Sequence, residues 1–519
     1  MANKLLRLLL AGAFAFKCLL ACITELNNDE VYYRLYALKL QWNYFDHPPM
    51  IGILLKLFTG NLYFESEFFL RLGIIVCSAI STWLVYCIGR RVGDEQTGLL
   101  AAFLFTASPY CSVIAGLLVI PDGPQLVWWL WSVLLMVKIA GARPDGRRTA
   151  VRLLLLGFTI GCCILSKVHG VFLWVGFLLF ILLYRRRLLA NPFLYCAGLV
   201  TAVLVAPVLY WNISHHFITY RYHSNRVRLF GPVQADSFLR ELLGEMLYNN
   251  PINFVLLVLA LVAFARRQVF MAQPLQRLLF LLAFPLIIVV VIISLFNDTL
   301  PHWTGPAYTT LLPFTAAWLR SRQKITDNGR VPRVLQWALG FTAVLLVPAV
   351  AAIKWLPVNI GNKEWTHLGA RDPMLDMSGF KDMGARVDSL YHHDRQAGLI
   401  GAHPFLLADY WFPAAHIDYY IARRYGFRFL AFGAGGAIHQ YAFINEERPF
   451  LQPGDDAYFI AVSNYFNPPA EALARQFETV LPPVALTQYR SGVPVRHFFI
   501  YRMKGYKGGL PRNGVTESQ

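Results

Sequence analysis

The chain has 519 residues, 56% of them hydrophobic and 15% charged, with 47 basic and 30 acidic side chains. A mean hydropathy of +0.45 and recurrent apolar runs of about 20 residues before position 352 exclude a wholly soluble protein. The +17 excess sits in short loops between apolar segments rather than on a soluble face, which excludes a nucleic-acid binder.

In chain order, spanning segments are expected near 4–24, 67–88, 97–117, 124–140, 151–166, 169–184, 193–211, 248–264, 278–296, 303–319 and 334–356. Every second loop is basic: Lys4 and Arg7, then Arg90 and Arg91, Arg147 and Arg148, Arg185 to Arg187, Arg266 and Arg267, and Arg320 to Arg333. That alternation predicts eleven spans, a cytoplasmic N-terminus and an outward C-terminal domain. No small-residue cleavage pattern ends the first apolar stretch, so its basic start suits a retained anchor. All eight cysteines precede residue 200, which excludes disulfides and CxxC metal sites from the tail.

The outward loops 24–67 and 211–250 are too long for simple connections. Residues 30–40 and 50–58 read as helices lying along the membrane surface. The tail from 361 holds 16 basic and 15 acidic side chains. Strands are expected at 403–409, 456–463 and 495–503, and helices at 413–424 and 468–479, each with a proline near its start. The expected architecture is therefore a polytopic α-helical membrane domain over residues 1–360, with a soluble α/β domain over 361–519.

Six outward motifs carry candidate chemistry. Asp29-Glu30 follows the first span; adjacent carboxylates at a membrane face need water, a partner or a substrate, and one could serve as a general base. In Tyr44-Phe45-Asp46-His47-Pro48-Pro49 a proline pair rigidly presents Asp46 and His47, which could bind an acceptor, orient a base or ligate a divalent metal. Asp122, in Pro121-Asp122-Gly123-Pro124, is either a helix cap or a functional carboxylate. Lys167 stands on the side that the charge rule disfavours for lysine, where it could pair with a phosphate or with one of these carboxylates. The loop after the seventh span holds Trp211, Asn212, His223, Arg226 and Arg228, a cationic and aromatic patch suited to a lipid-borne phosphate. His302, Trp303 and Tyr308 form a further rigid aromatic edge, for which the aromatic belt is the plainer explanation.

These motifs, in this order, resemble the protein O-mannosyltransferase-like superfamily of GT-C glycosyltransferases. The bacterial members include the aminoarabinose transferases that modify lipid A. The tail resembles their periplasmic domain through Asp376-Met-Ser-Gly-Phe380, His439-Gln-Tyr441 and Gly454-Asp-Asp-Ala-Tyr458. The resemblance implies a GT-C fold in the bacterial inner membrane, with the active site and C-terminal domain in the periplasm. It also implies an inverting transfer from a polyprenyl-phosphate sugar to an envelope acceptor such as lipid A, another glycolipid, a glycan or a protein.

Carried over by position, Asp29 is the leading base, with Glu30 beside it, and Asp46 and Asp122 match acidic positions. His223 and Arg228 match a histidine and an arginine near the donor phosphate, with Arg226 and Lys167 as further phosphate ligands. His47, Trp211, Asn212, His302, Trp303 and Tyr308 are acceptor-binding or structural. A divalent metal would take Asp46 and His223. Lipid A-modifying members carry Glu-Lys before the double proline, where this chain has Asp46-His47, so a lysine charge is replaced by an imidazole. The competing function is a lipid-linked sugar or solute transporter or flippase, whose polar groups would line a path through the membrane.

Overall fold

The computed structural model describes residues 2–224, 227, 231–323 and 331–516. In chain order the helices begin with α1 (Ala2–Ile23), α2 (Asn28–Leu38), α3 (Met50–Phe58), α4 (Glu67–Val92), α5 (Glu95–Ala107), α6 (Asp122–Ala140) and α7 (Arg147–Ser166). They continue through α8 (Val171–Tyr184), α9 (Pro192–Ser214), α10 (Ile218–Ser224), α11 (Ala235–Tyr248), α12 (Pro251–Ala265), α13 (Gln273–Ser294), α14 (Gly305–Arg322) and α15 (Arg333–Trp355).

The chain divides into two compact units. One comprises Met1–Cys22 and Leu40–Leu346, the other Ile23–Lys39 and Val347–Gln519. This division departs from a simple boundary at residue 360, because α2 belongs with the C-terminal chain. No local signal could reveal that, since it depends on contacts across hundreds of residues.

A helix occupies each of the eleven expected stretches. Among the described residues, however, seven are long and apolar enough to cross a membrane, or eight if α11 and α12 form one broken span. The apolar stretch at 97–117 is interrupted: α5 stops at Ala107, and Tyr110–Ile114 form a π-turn. α11 and α12 meet at 99°. There Asn250 takes a positive φ of 69° and donates to the carbonyls of Ala107 and Ala338 at 2.9 and 2.8 Å. Packing relies on small residues: a Cβ on Gly157 of α7 would lie 2.2 Å from the carbonyl oxygen of Ala197 on α9. In an apolar solvent such close backbone approach supplies much of the attraction between helices.

In the C-terminal unit, strands β1 (Phe405–Ala408), β2 (Arg428–Ala431), β3 (Ala457–Val462), β4 (Phe477–Val480), β5 (Val484–Arg490) and β6 (Val493–Tyr506) form one sheet in the order β2-β1-β3-β6-β4, with β5 also on β6. β1 runs parallel to β2 and β3, whereas β3 pairs antiparallel with β6. One core packs Phe405, Leu407, Leu430, Phe459, Phe499 and Met503. Helices α16 (Phe380–Gln396) and α17 (Trp411–His416) accompany the sheet.

The three expected strands are present, and the unit is an α/β fold. The helix expected over 468–479 is not: one turn at Glu471–Ala474 gives way to β4. Pairing of Phe477, Thr479 and Val480 with the long strand β6 overrides a local helical preference, as non-local β-pairing can.

Candidate active site

The N-termini of α6, α8 and α14 and the C-termini of α7 and α9 lie at one end of the membrane unit, because the chain reverses between them. Several buried polar side chains of that unit lie there, Asp122, Gln125 and Lys167 among them. Lys167 Nζ is 2.8 Å from Asp122 Oδ2, and both side chains are at least 95% buried. Asp122 opens α6 rather than capping it: the cap position is Pro121, which makes no side-chain bond. Its other oxygen accepts from the Tyr110 hydroxyl at 3.1 Å. Tyr110 is placed by the π-turn and pressed against Gly305, where any Cβ would come 2.2 Å from the ring. The glycine at the start of α14 thus makes room for the tyrosine that holds Asp122.

Imidazoles surround the pair. Burial, followed by the fields of His223, Lys167, His169 and His302, holds the His47 imidazole well below its ordinary range. Burial and then Lys167 bring His302 down to about 4. The His47 and His223 rings are 5.7 Å apart, and His169 lies 6.1 Å from the Trp303 ring. His169 Nδ1 is buried without a hydrogen-bond partner, as are both side-chain polar atoms of Gln125. Among the described residues, Asp122 is the one hydrogen-bond partner of the Lys167 ammonium. An ammonium has three donors, so the site holds more hydrogen-bonding capacity than its own residues use.

The first loop is tied into this end through α10. Thr219 donates to the carbonyl of Tyr44 at 3.0 Å and accepts from Asn43 at 2.8 Å. His223, one turn further along, sets Nε2 2.7 Å from the backbone oxygen of Asp46. Among the described residues no group of three or more His, Cys, Asp or Glu side chains is placed to hold a metal ion. Arg226 and Arg228 lie outside the described residues.

The remaining expected residues take local roles. Trp211 stacks on His215 with centroids 3.9 Å apart and donates to Gln41 at 3.1 Å. Asn212 donates to the carbonyl of Val208 at 3.0 Å, while its Oδ1 is buried without a partner. The Tyr308 hydroxyl donates to Glu245 Oε2 at 2.9 Å, and Thr299 donates to Glu241 at 2.6 Å. Tyr110, Glu241 and Glu245 were not legible as site neighbours. The available signal was the four-residue spacing of the two glutamates on α11, which puts them on one helix face.

Asp29 and Glu30 fall in the C-terminal unit, in the first turn of α2, and the structure separates them. Glu30 is 1% exposed; its carboxylate accepts from the backbone of Asn27, whose side chain accepts from the backbone of Glu30, both at 2.9 Å. That reciprocal capping box fixes the start of the helix. Asp29, one residue earlier, is exposed. Within the same unit Asn28 Oδ1 is 2.9 Å from His416 Nε2. Glu25 accepts from the backbone of Gly379 and Phe380 at the start of α16, each at 3.1 Å. The segment bearing Asp29 is thus pinned on both sides of α2's start.

A bundle of apolar helices with broken segments, a polar site at one helix end and an α/β unit define the class: this is the fold of the GT-C membrane glycosyltransferases. The family pattern described as dolichyl-phosphate-mannose-protein mannosyltransferase matches residues 46–211, a stretch containing Asp46, His47, Asp122, Lys167 and Trp211. The chain is 23% identical over 339 residues to the lipid A galacturonosyltransferase RgtD of Rhizobium johnstonii, covering 63% of this chain and 68% of that protein. It also matches the crystal structures of ArnT from Cupriavidus metallidurans, apo and bound to undecaprenyl phosphate. The TM-scores are 0.60 and 0.61 and the identities 13% and 14%, over 96% of this chain and 98% of that one. The protein is a membrane glycosyltransferase.

Proposed function

We propose that the protein takes a sugar from a polyprenyl-phosphate carrier and transfers it, with inversion at the anomeric carbon, to an envelope acceptor such as lipid A, another glycolipid, a glycan or a protein. The reaction is assigned to the periplasmic face of the bacterial inner membrane, with eleven spans and an outward C-terminal domain. The carrying observation is Lys167: a buried ammonium, paired with one carboxylate and flanked by imidazoles. The relatives' names point the same way, since one is a lipid A galacturonosyltransferase and another was crystallised with undecaprenyl phosphate.

In this reading an acceptor oxygen or nitrogen attacks the anomeric carbon as the bond from that carbon to the phosphate oxygen breaks. The phosphate keeps the bonding electrons, so negative charge grows on its oxygens. Lys167, with N–H groups from His47 and His302, stabilises that charge in a site of low polarity, while His223 gives its Nε2–H to the Asp46 carbonyl and orders that loop; Arg226 and Arg228 are assigned to the same phosphate. Asp122 and Tyr110 hold the ammonium in place. Asp29 receives the acceptor's proton, while Glu30 fixes the helix turn that presents it. Asp46, Trp211, Asn212, Trp303 and Tyr308 are assigned to shaping the surrounding loops.

Single-turnover transfer from a defined polyprenyl-phosphate sugar tests this assignment. Asp29→Asn should lose most transfer while still binding donor, and a normal rate would remove Asp29 as the base. For the topology, a cysteine replacing Gly509 should react with an impermeant thiol reagent in intact spheroplasts; reaction only after membrane disruption would overturn the outward C-terminus.

A further inference from the structure

A second convergence of chemistry lies wholly within the C-terminal unit, at the carboxyl edge of its parallel strands. β1 has β2 on one side and β3 on the other. The chain leaving β1 turns toward β2, while β3 leads away on the opposite side. In open α/β sheets such a point leaves a crevice beyond the strand ends, and ligands bind there. Asp409, Tyr410 and Trp411 follow β1 at this edge, and Ser463, Asn464 and Tyr465 follow β3.

These residues are neither simple core nor ordinary loop. Tyr465 is 43% exposed and packs edge-on against Phe412 at 4.2 Å, which fixes its ring while leaving part of it open. Trp411 is partly exposed and backed by His439, with rings 5.4 Å apart and nearly parallel. Asn464 is only 7% exposed, yet its Oδ1 has no hydrogen-bond partner. Asp409 is pushed up to about 6 by burial and accepts from Asn467. A buried acceptor without a donor is unfavourable, so the amide oxygen has capacity for a ligand that brings donors.

Fixed aromatic rings beside a carboxyl group and an orphaned amide oxygen suit one chemical class well. A pyranose lays its C–H face on an aromatic ring, while its hydroxyls donate to oxygen acceptors around the rim. We infer that the β1–β3 edge is a pyranose-binding subsite formed by Asp409, Tyr410, Trp411, Asn464 and Tyr465. The ring is a hexose of the acceptor glycan or the sugar of the donor; this choice of source rests on the transferase reading above, whereas the chemistry of the edge does not.

The test uses the full chain in lipid nanodiscs, with a glucosamine disaccharide free of acyl chains as the binding probe. Asn464→Leu, Tyr465→Ala and the near-isosteric Asp409→Asn are compared at matched melting temperatures. The wild type should bind the disaccharide, and each variant should weaken binding about tenfold. In turnover assays a raised KM for acceptor alone assigns the ring to the acceptor, and a raised KM for donor alone assigns it to the donor. Unchanged disaccharide affinity and unchanged KM values in Asn464→Leu and Asp409→Asn would overturn the subsite. Disaccharide binding by a wild-type protein that transfers no sugar to any acceptor would instead overturn the transferase reading and leave the subsite standing.

Discussion

In the C-terminal unit, buried Asp394 accepts from Arg502 Nη2 at 2.7 Å and from the Tyr458 hydroxyl at 2.8 Å. Asp372 similarly meets Arg490 at 2.9 Å, and the same guanidinium donates to the carbonyl of Leu356 at 2.9 Å. In the membrane unit, Lys167 meets Asp122 alone, beside imidazole and amide atoms with no partner. Breaking either kind of pair strands a buried charge, at a cost of roughly 3–5 kcal/mol. The difference lies in what is left over. The Asp394 network spends its donors on protein and makes structure, and Arg490 does so through Nε and Nη2 while its Nη1 is left without a partner; the membrane cluster instead leaves an imidazole nitrogen and a whole side-chain amide beside an ammonium with one partner.

The largest expected effect falls on Asp29, whose carboxylate is exposed while its neighbour's is built into a helix cap. Asp29→Asn should slow single-turnover transfer by about 10²–10⁴-fold with donor affinity retained, the usual range for losing a general base.

Paired substitutions sharpen the comparison next. Asp122→Leu with Lys167→Met removes both charges and avoids stranding either one. That protein should insert and melt near the wild type, but bind carrier lipid at least about tenfold more weakly, since hydrogen bonds to charged groups contribute about 1.5–3 kcal/mol. Asp372→Leu with Arg490→Met should do the reverse, changing the melting temperature while carrier affinity stays within about twofold. Equal effects of the two double variants on carrier binding would erase the distinction.

A pH dependence of intermediate size follows from the imidazoles. His47 and His302 are held below their ordinary values, so both are neutral at pH 7. The stability tied to the neutral state of His302 is present above about 6.5 and is lost as pH falls toward about 4, and that of His47 is lost in the same direction. A bound phosphate favours the protonated form, so carrier binding should take up protons and tighten between about pH 7 and pH 5. Carrier titrations across that window check the sign; weaker binding at lower pH in a still-folded protein would contradict it. The smallest effect belongs to Glu30→Gln. Glutamine can keep the reciprocal capping bond, so transfer should fall less than about tenfold and helix stability by no more than about 1 kcal/mol.

Much of this was legible in the residues. Apolar runs marked where the membrane helices lie, and the order of Asp46-His47, Asp122, Lys167 and His302 marked the polar end of the bundle. What remained hidden was non-local. Tyr110 sits in an apolar stretch that reads as continuous helix, and only the break after Ala107 turns it toward Asp122. Residues 468–479 read as helix until β6 claims Phe477 to Val480 as a strand. Glu30 stands beside Asp29 as a second carboxylate in the sequence, yet one step along a helix start separates an exposed residue from a capping one. The attachment of α2 to the C-terminal unit rests on pairings such as Asn28 with His416 and Glu25 with the start of α16, which no spacing in either segment announces.

The most direct test of the central claim is the affinity of undecaprenyl phosphate for the Lys167→Gln protein in nanodiscs, measured beside the wild type at matched melting temperature. The site described above predicts at least about tenfold weaker binding, because a buried charge-assisted contact to phosphate is lost. Undiminished affinity in a folded Lys167→Gln protein would contradict it and place the carrier phosphate elsewhere.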